Sequence, residues 1–72
     1  MILLTKEAVD YVFKNIEYFK NNKEAKLICE LRLNGLSYRE IGKEVNLTIN
    51  KVREYILKVQ RLYNHYKDNR WS

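Results

Sequence analysis

Two helix starts eleven residues apart constrain this 72-residue chain more than any other feature. In Leu36-Ser37-Tyr38-Arg39-Glu40-Ile41, Ser37 supplies a cap and Glu40, three positions on, completes a capping box; Leu36 and Ile41 flank it as a hydrophobic staple. Leu47, Thr48 and Val52 repeat the arrangement. The stretch from Leu36 to Tyr55 therefore reads as two helices joined by a turn of about three residues, a helix-turn-helix.

The punctuation around this stretch agrees. Pro is absent and only two glycines occur, which suits helices with tight connections. Gly35 falls where a left-handed residue ends a helix. Gly42 falls where the two helices approach most closely and a large side chain would push them apart. Asn46 occupies the turn position that often needs positive φ, which Asn tolerates better than other residues with a side chain.

The flanks are helical as well. Thr5 caps a first helix over about residues 6–20, with Val9, Val12, Phe13, Ile16 and Phe19 as its core face. Tyr11 and Tyr18, seven apart, fall on the opposite side, as ordinary surface aromatics or as a contact stripe for a partner. Asn22 caps a supporting helix over about 23–34. Leu27, Ile28 and Leu31 form one apolar face and Ala25, Cys29 and Leu33 another, the pattern of a central helix. The last helix shows no stop signal from Thr48 to about Lys67, roughly 30 Å at 1.5 Å per residue. Val52, Tyr55, Ile56, Val59, Leu62, Tyr63 and Tyr66 share one face of it, near a/d spacing. Past Val59 this seam exceeds what a minimal helix-turn-helix requires. Its partner is either the first helix folded back or the same helix of a second subunit. The polar, basic end, residues 67–72, is expected to fray. The expectation is one all-α domain over residues 1–72, with about four helices, a helix-turn-helix over about 37–57 and an extension to about 67.

Composition narrows the function. The net charge of +5 is uneven: residues 1–36 carry six Lys/Arg against five Asp/Glu, and residues 37–72 carry eight against four. A basic excess in the half containing the motif is placed to meet phosphate. One cysteine, Cys29, allows no internal disulfide and fits a reducing compartment. Cys29 and the single histidine, His65, assemble no zinc site of ordinary spacing, so no metal or cofactor is expected. No apolar run approaches the ~20 residues of a membrane span, and Met1 to Leu4 is too short for a signal peptide, so a cytoplasmic protein without membrane contact is expected. Paired carboxylates, a glycine-rich phosphate loop and a nucleophile with a base are all lacking, which argues against an enzyme.

Gly35-Leu36-Ser37-Tyr38-Arg39-Glu40-Ile41-Gly42, followed by Leu47-Thr48 and Lys51-Val52, resembles the helix-turn-helix shared by sigma-factor region 4 and LuxR-type regulators. That pattern runs Gly-Leu-Ser-Tyr-x-Glu-Ile-Ala, then a Leu, a Ser or Thr cap and a Thr-Val pair. The similarity extends from Ala25 to about Leu62. Gly42 stands in place of the usual Ala, Asn46 in place of a frequent Gly, and Lys51 where Thr is common. The resemblance implies DNA binding. Seventy-two residues leave no room for the second domain of a sigma factor or the sensory domain of a LuxR-type response regulator. A bare DNA-binding module is expected.

In such a module the recognition helix enters the major groove of double-stranded DNA. Base readout is expected from Thr48, Asn50, Lys51, Arg53, Glu54 and Leu57: Asn50 suits adenine, Arg53 guanine and Leu57 a thymine methyl. Glu54 either accepts from a cytosine amine or makes an i,i+4 pair with Lys58, and the pair is favoured. Phosphate contacts are expected from Ser37, Tyr38, Arg39, Lys43, Lys58 and Arg61. One small module covers few base pairs, so a homodimer on an inverted repeat is expected, joined through Val59, Leu62, Tyr63 and Tyr66. The leading function is a small transcriptional repressor. The alternatives are an adaptor resembling sigma region 4 that binds RNA polymerase or another protein, and an architectural DNA-packaging or recombination factor.

Overall fold

The structure is a computed structural model; it describes residues 4–70, with side chains through Lys67. Met1 to Leu3, the apolar start, and Trp71 and Ser72, the end of the basic tail, lie outside the described residues. Five helices follow in order: α1 (Lys6–Asn15), α2 (Glu17–Lys20), α3 (Lys23–Leu33), α4 (Tyr38–Val45) and α5 (Ile49–Arg70). The fold is all-α, and no helix of the described residues is long and apolar enough to cross a membrane.

The expected caps form. The Ala8 amide donates to Thr5 Oγ1 at 3.2 Å and the Ala25 amide to Asn22 Oδ1 at 3.0 Å. Each such cap contributes about 1 kcal/mol by pairing an amide that the helix leaves without a partner. The two helix ends that matter most are closed alike. Gly35 takes φ 97°, its amide bonds Arg32 O at 3.0 Å, and the Leu36 amide reaches back to Leu31 O at 3.2 Å. Asn46 takes φ 58°, and the Leu47 amide reaches back to Gly42 O at 2.9 Å. Both are Schellman-type stops.

The first helix departs from expectation. Instead of running over 6–20 it breaks at Ile16, which is extended (φ −99°, ψ 114°). Ile16 ends α1 by donating to Val12 O at 2.9 Å and starts α2 by accepting from the amides of Phe19 (2.9 Å) and Lys20 (3.1 Å). The re-aimed chain buries Phe19 completely and sets its ring edge-on to Phe13, with centroids 5.3 Å apart. Tyr11 and Tyr18 therefore do not form one stripe.

The core unites Val9, Val12, Phe19, Ala25, Ile28, Cys29, Ile41, Val52, Ile56 and Val59. α3 buries Ala25, Ile28 and Cys29, whereas Leu27 and Leu33 are exposed, so it is not apolar on two sides as expected. Burial pushes the Cys29 thiol up to about 12, with the Glu30 carboxylate adding to the shift, so the sulfur stays protonated.

The α5 seam, where a dimer interface was expected, is largely covered within the chain. α1 packs along α5: Val59 is fully buried and Leu62 and Tyr63 are half-buried on the core. Tyr66 stacks on Tyr11 with centroids 4.1 Å apart. The Tyr63 hydroxyl donates to Glu7 Oε2 at 3.2 Å, and the Thr5 amide donates to Oε1 of the buried Gln60 at 3.2 Å. The first helix folded back, one of the two partners open to this seam, thus packs on it.

Gly42 is held to its identity by geometry. A Cβ built on it would lie 2.7 Å from the Leu47 carbonyl oxygen, a backbone atom of the turn that cannot swing aside. Gly42→Ala should lower unfolding free energy by about 1–3 kcal/mol, in the range of overpacked sites. Asn46→Gly should raise it by up to about 1 kcal/mol, because Gly adopts a left-handed conformation without the Cβ penalty. Urea unfolding reads both, and a Gly42→Ala variant as stable as the parent would contradict the close approach.

Candidate nucleic-acid interface

The α4–turn–α5 unit is built from its two junctions. At the first, the Glu40 amide donates to Ser37 Oγ (3.2 Å) and the Ser37 amide to Glu40 Oε1 (2.9 Å), a complete capping box. At the second, Lys51 stands where Glu would close such a box, so only the Thr48 half forms: the Lys51 amide donates to Thr48 Oγ1 at 3.2 Å. Three residues thus separate α4 from α5, with Val52 and Ile56 fully buried.

Burying those two positions turns the others outward. Thr48, Asn50, Lys51, Arg53 and Glu54 are all exposed at the start of α5, and Leu57 is half-buried one turn beyond. Asn50, Arg53, Glu54, Leu57 and Arg61 fall on the side opposite Val52, Ile56 and Val59. Ile49, at the first helical position, is 44% exposed and joins this surface, although the sequence reading did not include it. Its spacing to Val52 pointed to the core; its place at the very start of the helix, ahead of the packed turns, was the available signal.

The residues expected at phosphate form two groups. Ser37, Arg39 and Lys43 are exposed on α4 and its cap, and Tyr38 is half-buried. Arg32 of α3 also belongs here: its guanidinium lies over the Tyr38 ring, 5.0 Å from the centroid, and its Nη1 donates to Leu36 O at 2.8 Å. Arg32, Ser37, Tyr38 and Arg39 line one shallow concavity. Sequence spacing gave little hint of Arg32, which reaches the cap from the preceding helix.

The second group lies along α5. Lys58 and Arg61 are exposed and line a groove with Glu54, Leu57 and Leu62. The favoured Glu54–Lys58 pair does not form. Lys58 Nζ lies instead over the Tyr18 ring, 4.7 Å from its centroid. An exposed i,i+4 pair stabilises by only about 0.2–0.5 kcal/mol, and a cation over an aromatic face rivals that. Within the described residues none of Arg39, Lys43, Lys51, Arg53, Lys58 and Arg61 is held in an ion pair within 4 Å.

Tyrosine hydroxyls tie this surface to the scaffold behind it. The Tyr55 hydroxyl donates to Glu24 Oε1 at 3.2 Å, linking α5 to α3. Burial raises the Tyr55 pKa, and the bond to Glu24 raises it further, so the phenol remains a donor. Among the described residues no group of three His, Cys, Asp or Glu could hold a metal ion.

In comparisons with family models, curated proteins and solved structures, nothing matches this chain. The resemblance to sigma region 4 and LuxR-type domains rests on the quoted residues.

The Ser37 amide bonding Glu40, followed by the bond from Ser37 to its side chain, holds the Glu40 carboxyl below the usual carboxylate range, with Lys43 adding to the effect. A carboxylate with a depressed folded-state pKa contributes stability that is present above its unfolded pKa and is lost as pH falls through the folded value. The melting temperature of the parent should therefore exceed that of Glu40→Gln at neutral pH, and the gap should close in acid. A gap independent of pH would contradict the ionised capping box.

Proposed function

We propose that this chain is a sequence-specific, DNA-binding transcriptional regulator that reads the major groove with the start of α5. The simplest mode is a cytoplasmic repressor that occludes a promoter. The observation that carries this reading is the exposed set Thr48, Asn50, Lys51, Arg53 and Glu54, projected from a helix whose start is fixed by a three-residue turn.

In this reading Asn50 and Arg53 read adenine and guanine edges, and Ile49 and Leu57 meet thymine methyls. Glu54, which makes no pair with Lys58, accepts from a cytosine amine. Each good bidentate contact discriminates by about 1–3 kcal/mol. Phosphates on the flanks are met by Ser37, Tyr38, Arg39 and Lys43, joined by Arg32 at the α4 cap, and by Lys58 and Arg61.

One module covers too few base pairs for a selective operator, so two copies bind half-sites about one DNA turn apart. With α1 covering the α5 seam, the second copy joins on the DNA rather than through Val59, Leu62, Tyr63 and Tyr66.

Two measurements test this reading. Arg53→Ala should relax specificity at one base position by about 1–3 kcal/mol, whereas Arg39→Ala should weaken all sequences alike and reduce the salt slope by about 1. Light scattering should give one chain, 8.8 kDa, for the free protein and two chains per palindromic duplex. Absence of duplex binding at low salt would instead favour the polymerase-binding adaptor.

A further inference from the structure

We propose that α2 carries a second point of contact with duplex DNA: a backbone phosphate received between the Tyr18 hydroxyl and the Lys58 ammonium, beside the groove-reading start of α5. This inference rests on the DNA-binding reading and deepens it, because it adds a helix outside the α4–turn–α5 unit to the interface.

Tyr18 is 60% exposed, while its neighbour Phe19 takes the core position with no exposure. The Tyr18 ring is steadied by an edge contact on Phe19, with centroids 4.9 Å apart. Its hydroxyl makes no hydrogen bond to the described residues and is available as a donor.

The break at Ile16 explains why this phenol is where it is. A continuous helix would place Tyr18 two turns along from Tyr11 on one edge. Tyr11 instead stacks on Tyr66, while Tyr18 meets Lys58, eight residues earlier on α5 and so about 12 Å nearer its start. The re-aimed helix brings an aromatic hydroxyl to the part of α5 that carries the exposed polar residues.

Tyr18, Lys51, Glu54, Tyr55 and Lys58 line a single concavity of about 150 Å³. Lys51 and Lys58 lie two turns apart on one edge of α5. The Tyr55 hydroxyl is already given to Glu24, so Tyr55 forms a wall and Tyr18 supplies the donor. Lys58, held over the Tyr18 ring at 4.7 Å and not by a carboxylate, is easily surrendered to an anion, since a phosphate binds an ammonium more strongly than an exposed ring face does. Glu54 leaves the concavity with a net charge of only +1. A free phosphate ion is then poorly retained, whereas a duplex anchored by the rest of α5 presents its phosphate at high local concentration.

The test is fluorescence anisotropy with a labelled selected duplex and a labelled random duplex, across a series of salt concentrations. Tyr18→Phe keeps the ring that packs on Phe19 and removes only the hydroxyl. It should weaken both duplexes about five- to tenfold while leaving the slope of log K against log salt unchanged, since no charge is lost. Lys58→Met should flatten that slope by about 0.9, the share of one phosphate. The double variant should lose less than the two single losses combined, because both groups hold the same phosphate. Inorganic phosphate at millimolar concentration should leave the Lys58 side-chain resonances unmoved, whereas duplex should shift them. Full affinity in Tyr18→Phe overturns the proposal, whatever Lys58→Met does. If Arg53→Ala still relaxes specificity in that case, the groove reading stands without α2. If the parent binds neither duplex at low salt, both fall together.

Discussion

The approach of the Leu47 carbonyl to Gly42 is the constraint on which the rest of this molecule depends. A Cβ on residue 42 would lie 2.7 Å from that oxygen, so only glycine lets the turn fold back so tightly on α4. With that space empty, Leu47 N–H closes on Gly42 O, Asn46 takes the left-handed conformation, and Thr48 starts the next helix at once. The same device appears eleven residues earlier in Gly35-Leu36-Ser37. In each case a left-handed residue stops one helix, a leucine donates the closing bond and packs on the core, and a hydroxyl caps the next. Two changes of direction are thus made with four residues (34–37) and three residues (46–48), and the orientation of α5 follows from them.

α5 then does two jobs along its 22 residues. Its start buries Val52 and Ile56 and turns Asn50, Arg53 and Glu54 outward. Its later turns are anchored by α1 through Gln60, Tyr63 and the Tyr11–Tyr66 stack. A 72-residue domain has little core to spare, and covering this seam with its own first helix adds apolar burial that the α4–turn–α5 unit alone would lack.

What was legible in the sequence was local. Ser37, Thr48, Asn22 and Thr5 cap helices through bonds spanning three residues, and Gly35 and Asn46 mark left-handed positions; both rules act within one turn of chain. Gly42 was legible as a close approach, although its neighbour proved to be the turn backbone and not the facing helix. What was not legible depended on contacts across the fold. Ile16 breaks the first helix with neither Pro nor Gly to announce it, and Phe19 is fully buried beyond the break. Lys58 leaves Glu54 for a tyrosine forty positions away, and Leu27 and Leu33 stay outside a core that periodicity alone assigned to them. The candidate interface was readable where it follows from helical spacing at the start of α5. It was not readable where another helix supplies the residue, as with Arg32 and Tyr18.

The most direct test of the account is amide chemical-shift mapping of the protein titrated with a duplex carrying its selected sequence. The account predicts the largest shifts over residues 47–58 and at the α4 cap around Ser37 to Arg39, with Tyr18 moving alongside them and the outer face of α3 at Leu27 and Leu33 unchanged. Shifts confined to α3, or spread evenly without change at the start of α5, would contradict it.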